Sequence, residues 1–511
     1  MTVIAGPALC FKGSKPDVWH VSALVVTADT EVAPTFEIVD MTVDDILEQP
    51  TVLMKHGTAR VWRVNMFLEQ LPAPRTVEYR VETNAYQLHI PASGAGPRMA
   101  YGSCNGFSDS RYAKKYDLTG DSGLPNAFAN WEAMCKKHAE QPYNLILQGG
   151  DQIYADAIRY EWGKLQDKYG WTTEQLHQQD GTEVTRLLDK FFWDTYIKQW
   201  KQKDIATLYA AVPAVMMWDD HDIIDGWGSH TNSRESSPLY KKLFETANRY
   251  FSIFQRHLRP DETSEATHYL AEIGHSAGFV IGNCGLMVLD LRTERTPECI
   301  MSPASWNSVY AWLDNHRHVD HLFVMSSIPV LHPNFQLLEN ALGIIPGTQE
   351  IEDDLRDHWT SLAHADERVR LIKRLLHYAD TRETRVTIVS GDVHVAAQGL
   401  IESTKYGKRR NQDAIYQLTS SGVVHPPPPG IVMFGLNQLL QADQQIDNWI
   451  TGRMLTFGNT TSRFIGARNW LSLEPNPPSN KRNPKDVYAK WYIEGLDQPY
   501  GRVIEGADPE K

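Results

Sequence analysis

The chain of 511 residues has little cysteine, little excess basic charge and no long apolar run. Its five cysteines, Cys10, Cys104, Cys135, Cys284 and Cys299, form an odd and scattered set without a CxxC pair. That pattern fits a reducing compartment better than a disulfide framework. Basic residues number 50 against 63 acidic ones, a net charge of −13. Nucleic-acid binders need clustered Lys and Arg to displace counterions from phosphates, so no nucleic-acid partner is expected. A small phosphorylated substrate stays open, because one cationic metal site can invert the local field. The longest apolar stretch near the C-terminus, GIVMFGLNQLL at 430–440, is too short to span a bilayer. The opening MTVIAGPALCFKGSKPD shows no basic segment leading into a long apolar one, so a cytoplasmic location is the expectation. No internal repeat is evident, and HPPPPG at 425–430 is the one compositionally biased tract.

What is present divides in two. The first ~95 residues carry short runs rich in Val, Thr, Tyr and Ile, such as VWHVSALVVT (18–27) and TVEYRVETNAYQLHIP (76–91). Runs of this kind between polar turns predict a small all-β, immunoglobulin-like sandwich over 1–95. PASGAGPR (91–98) then reads as a linker. From 96 to 511 the rhythm changes to apolar strands alternating with helical patterns, the signature of an α/β enzyme domain. NLILQGGD (144–151), VPAVMMWDD (212–220), CGLMVLDLR (284–292) and RVTIVSGDVH (385–394) predict strands. AFANWEAMCKKHAE (127–140) and RVRLIKRLLHYAD (368–380) predict helices. The aromatic-rich stretch 155–212 predicts a helical insertion, and a C-terminal extension follows the last strand.

Three predicted strand ends carry acids or histidines: Asp151, then Asp219-Asp220-His221-Asp222, then Asp392 with His394. Ligands in open α/β sheets sit at the carboxyl ends of strands. Carboxylates and imidazoles brought together there need a compensating cation. Oxygen and nitrogen donors in this mixture suit hard or borderline ions, and two such ions can hold a phosphate and activate water. Taken alone, each cluster also has a plainer explanation: GGD as a turn or helix cap, Cys104 as a small buried apolar residue, Tyr154 as a core aromatic.

The ordered blocks GSC, GGDQIY, WDDHD, LDLRTER and SGDVH, spread over about 100–425, resemble the PhoD-like branch of the calcineurin-like metallophosphatases. Commoner members of that superfamily carry DxH, GDxxD, GNHD/E, a separate His and GHxH. Gly150-Asp151 matches the second block. Asp220-His221-Asp222 matches the third with Asp for Asn. Gly391-Asp392-Val393-His394 matches the last with Asp for His. The first DxH is missing, and YGSCN stands in its place. FVMSSIP (323–329) has no His where the superfamily has one.

The resemblance implies an α/β fold, a four-layer αββα sandwich, and metal-dependent hydrolysis of a phosphoester by a metal-bound hydroxide. It implies Fe(III) paired with Ca(II), with other divalent ions such as Mn or Zn as alternatives. Asp151 would bridge the ions. Cys104 and Tyr154 would complete the iron side, and Asp220, Asp392 and His394 the remainder. His221 would be the general acid, oriented by Asp222. Arg292 and Arg295 would grip phosphate oxygens, with ion pairs to Asp290 or Glu294 as the alternative. Monoester and diester remain equally open. A metal-binding sensor without catalytic activity on the same scaffold is the reading from another class. An amide-cleaving metal hydrolase is disfavoured by the lack of an HExxH motif.

Overall fold

A computed structural model describes residues 2–507 apart from 16, 29–30, 119–122, 260–261, 263–268, 271–272, 334–358, 360–361, 406–413, 439–442, 459 and 477–482. The chain forms two units, Met1–Ser93 with Ser108–Thr267, and Gly94–Phe107 with His268–Lys511. Each is mixed α/β.

In the first unit the strand order is Leu145–Gly149, Ala214–Met217, Val3–Lys15, Val18–Thr27, Ala59–Glu69 and Ile46–Leu47. Leu145–Gly149 and Ala214–Met217 run parallel, with Gly149 opposite Met217, so both release their chains at the same edge. Val3–Lys15 also pairs parallel with Ala214–Met217, at Cys10 and Ala214. The N-terminal strands are therefore built into this sheet and do not stand apart as the expected sandwich over 1–95. The reason lies in Val3–Lys15 itself, which is buried without a break from Pro7 to Gly13. A strand covered on both faces takes an interior place in a sheet. A three-stranded sheet, Phe36–Ile38, Arg75–Val81 and Asn84–Ile90, packs nearby through the Tyr79 hydroxyl, which donates to the Ala210 carbonyl at 2.6 Å.

The stretch 155–212 is helical as expected: Ile158–Tyr169, Thr173–His177, Thr182–Trp200 and Lys203–Ala211. Thr182–Trp200 places Phe192, Tyr196 and Trp200 on one face at four-residue spacing. Phe192 stacks on Tyr250 at 5.9 Å and Tyr196 on Phe254 at 4.9 Å, both in helix Pro238–Phe254. These aromatics make a packing layer.

The second unit centres on four parallel strands in the order Cys284–Val288, His321–Ser326, Arg385–Ser390 and Ala414–Ser420. Antiparallel strands border them on both sides. All four are fully buried except for Tyr416, the pattern of a sheet covered by helices. Helices Pro303–Asn315 and Ala365–Arg382 supply that cover through Trp306, Val309, Leu371 and Leu375. The short strand Met99–Gly102 pairs with Asn469–Pro475, beyond which lie Val487–Ile493 and Tyr500–Ile504.

Two buried histidines each stabilise the fold less as pH falls. Burial, with Lys12 and Arg63 nearby, holds His257 well below the ordinary imidazole range; burial, with Arg385 nearby, does the same for His321. Each stays neutral in the fold while the unfolded chain takes up a proton below about pH 6.5. The stability each contributes is therefore full above that pH and is lost as pH falls toward its folded-state value. Wild type is expected to lose urea stability relative to His321→Gln between about pH 7 and about pH 5. A difference between the two midpoints that does not change with pH would remove His321 from the account.

Candidate metal centre

In the first unit, Gly150 and Asp151 follow strand Leu145–Gly149 with φ of 103° and 58°. This left-handed pair turns the chain back sharply, and glycine relieves the first half of the strain. Asp219 to Asp222 follow strand Ala214–Met217 and close a short 3₁₀ turn over Asp220–Asp222. The two loops are tied directly, since Ala155 N–H donates to the His221 carbonyl at 2.8 Å.

Asp151, Asp220 and His221 are all buried, and each offers a ligand atom within 4.8 Å of the other two. Asp219, Asp222 and Asp156 are buried beside them. Burial and the charges of Asp219, Asp220 and Asp222 push the Asp151 carboxyl well above the usual carboxylate range, while His221 acts to lower it. Burial would depress His221, but the carboxylates of Asp156, Asp220 and Asp151 hold it well above its ordinary value. Five buried acids around one imidazole form a donor set that a cation would fit, and its charge would invert this pKa pattern.

The orientation of His221 corrects the sequence expectation. Its Nδ1 meets Asp156 Oδ2 at 2.7 Å, and its ring stacks on Tyr154 with centroids 4.4 Å apart. Asp222 has a different task. Its carboxylate accepts from the backbone N–H groups of Asp151 at 2.7 Å, Asp219 at 3.0 Å and Ile153 at 3.3 Å, and from Gln255 Nε2 at 3.1 Å. Burial pushes Asp222 up to about 7 against the lowering effect of those donors. Asp222 fastens both ligand loops and leaves the histidine to Asp156. Asp156 was missed because it lies 65 residues upstream of His221 and outside the matched blocks. Asp225, three residues beyond Asp222, pairs with Arg159 at 2.9 Å.

In the second unit Cys104, Asp392 and His394 come together. All three have positive φ, 58°, 69° and 53°. Side chains at such positions carry strain that the surroundings must hold in place, a pattern concentrated at functional sites. Ser421 does part of that holding: its Oγ is 3.0 Å from Cys104 Sγ and accepts from His394 N–H at 3.1 Å. The Asp392 carbonyl lies 3.7 Å from the same sulfur. Val424 and His425 donate their N–H groups to the Cys104 carbonyl, and the His425 ring stacks on His394 at 3.7 Å. His425 thus backs a candidate ligand. A Cβ on Gly391 would lie 2.2 Å from Ser103 Oγ, so only glycine lets these two loops approach.

Arg292 and Arg295 are buried, not on the surface. Asp290 caps its own loop, accepting from the N–H groups of Arg292 at 3.0 Å, Thr293 at 3.1 Å and His275 at 2.7 Å.

A family model described as PhoD related phosphatase matches residues 93–349 and 337–450, more than half of the chain. An uncharacterized protein of Saccharomyces cerevisiae, YGR266W, is 26% identical over 464 residues, covering 74% of this chain. The chain spans 64% of that protein's length. Among solved structures, PhoD matches with a TM-score of 0.51 at 12% identity, covering 98% of this chain and 92% of its own, a likeness of fold. A dimetal phosphatase from Danio rerio matches with a TM-score of 0.33 at 10% identity, covering 81% of this chain and all of its own.

The role of Asp222 is open to a direct test. Asp222→Ala strips acceptors from three buried backbone donors, each costing about 1–3 kcal/mol when unsatisfied. Unfolding stability is expected to fall by about 3 kcal/mol or more. An unchanged urea midpoint would return Asp222 to a purely orienting role.

Proposed function

The chain belongs to the PhoD-related phosphatase family, and from that premise we propose that it is a metal-dependent phosphoester hydrolase. The observation that carries the reading is the buried trio Asp151, Asp220 and His221 within 4.8 Å of one another, among further buried acids. The proposed metal ligands are Asp151, Tyr154 and Asp220 in the first unit; in the second unit Cys104, Asp392 and His394 are proposed likewise. Fe(III) and Ca(II) are the assigned ions. A thiolate and a phenolate support the ferric assignment, carboxylates support calcium, and Mn or Zn are the alternatives. Bound cations supply positive charge for phosphate oxygens and acidify water at neutral pH. The four-layer αββα fold goes with this reading.

The protein's own groups handle the proton. The Asp156 carboxylate accepts from His221 Nδ1–H, which leaves Nε2 to carry the second proton. Tyr154 limits ring rotation by stacking. His221 then gives its Nε2 proton to the departing alkoxide. Arg292 and Arg295 are the proposed grips on phosphate oxygens, since a buried guanidinium keeps its charge. The substrate is a small phosphorylated molecule, monoester or diester. A second reading comes from the same trio: His221 stands close enough to Asp151 and Asp220 to be a ligand.

Hydrolysis of a phosphomonoester and a phosphodiester with one leaving group, together with metal analysis, separates these readings. His221→Ala is expected to lower kcat by roughly 10²–10⁴ with metal content unchanged. Loss of metal would make His221 a ligand, and retained wild-type turnover would end its role as acid. Asp156→Asn should lower kcat less, by about 10–100-fold, and move the alkaline limb of the rate profile to lower pH. Wild-type protein loaded with iron and calcium that cleaves neither ester would favour the sensor reading.

A further inference from the structure

Both oxygens of the Asp156 carboxylate are engaged. Oδ2 holds His221 Nδ1, and Oδ1 accepts from the Asp225 backbone N–H at 2.8 Å. Arg159 grips Asp225 in turn. Its Nη1 donates to Asp225 Oδ2 at 2.9 Å and its Nη2 to the Asp225 carbonyl at 3.0 Å. The backbone N–H of Arg159 donates to the Asp156 carbonyl at 3.0 Å. The three residues therefore form a closed ring. Asp156 meets Arg159 through the main chain, Arg159 meets Asp225 through the guanidinium, and Asp225 returns to Asp156 through its amide. Arg159 lies in the first turn of helix Ile158–Tyr169, so the helical insertion begins at this ring.

An ion pair with an arginine whose side chain is 40% exposed contributes little to stability. Here the geometry carries more than the charge. A guanidinium presents its donors in a rigid fork, and this fork takes both the side chain and the main chain of one residue. That double hold limits rotation of the Asp225 backbone, and with it the direction of the N–H that fixes Asp156. A carboxylate pinned at both oxygens holds an imidazole at one angle, and reaction rates fall steeply when a reacting group is misaligned. Resting on the reading of His221 as the acid, we infer that Arg159 is a positioning residue for proton delivery to the leaving group, acting through Asp225 and Asp156. Its effect is confined to substrates whose leaving group needs that proton.

Two phosphoesters of one class, monoester or diester as wild type prefers, test this on the metal-loaded full chain. One carries an alkyl leaving group, the other a dinitrophenyl group that departs without a proton. Arg159→Met is expected to lower kcat on the alkyl ester by about tenfold or more with KM little changed, and far less on the aryl ester. Arg159→Lys keeps the charge without the fork and should recover part of the loss. Asp225→Ala cuts the ring at its other member and should show the same selectivity, and in the double variant the two losses should not add. An equal loss on both esters, no loss on either, or additive losses would overturn the inference. The Asp225 carbonyl and the Gly226 N–H belong to one peptide, and that N–H donates to Asp220 Oδ2 at 2.7 Å. Iron and calcium contents of the variants are therefore measured alongside and should match wild type. Depletion would assign the ring to the ligand loop and overturn the inference. Cleavage of the aryl ester by wild type reports separately on the hydrolase reading. Wild type that cleaves no ester would reject that reading and this one with it, whereas cleavage without the selectivity would reject the role of Arg159 alone.

Discussion

Buried negative charge is the constraint on which the rest depends. Asp151, Asp219, Asp220, Asp222 and Asp156 are packed out of solvent around a single imidazole. Such a set is costly to bury without positive charge. Hydrogen bonds meet part of that cost: Asp222 takes three backbone donors, Asp220 accepts from Gly226 N–H at 2.7 Å, and Asp156 takes His221. The charge itself calls for a cation, and the geometry of the trio accommodates one.

The fold delivers these groups by one device used in each unit. Parallel strands end side by side, and the chain leaves each of them in an unusual conformation. Gly150 and Asp151 leave Leu145–Gly149 with positive φ; Asp392 and His394 leave Arg385–Ser390 in the same way. Such turns would relax if nothing held them. Asp222 holds the first pair of loops, and Ser421, with His425, holds the second group. Side chains outside the proposed ligand set therefore hold the conformation of those within it.

Much of this was legible in the residues. The strands before Asp151, Asp219 and Asp392 read plainly because a two-sided buried strand is a continuous apolar run. The helices over 127–140 and 368–380 read plainly from their period. Two features did not. Val3–Lys15 reads as part of a separate sandwich, since nothing local reveals that its partner lies some 200 residues away at Ala214. Asp156 does not stand out in the sequence, since its link to His221 exists only once Ala155 is tied across to the other loop. Asp222 was recognised as important, but its neighbour in sequence was mistaken for its partner in space. Long-range pairing and side-chain direction are tertiary facts, and the residue types alone could not supply them.

The central claim is that the acid cluster is completed by bound metal. Thermal unfolding of wild type and Asp151→Asn, each after chelation and after reloading with iron and calcium, tests it most directly. Wild type should unfold at a clearly higher temperature when loaded, because a ligand bound to the native state adds its binding free energy to stability. Asp151→Asn should lose most of that increment and, when stripped, should unfold at a higher temperature than stripped wild type, since one buried like charge is gone. Equal unfolding temperatures for loaded and stripped wild type would contradict the account.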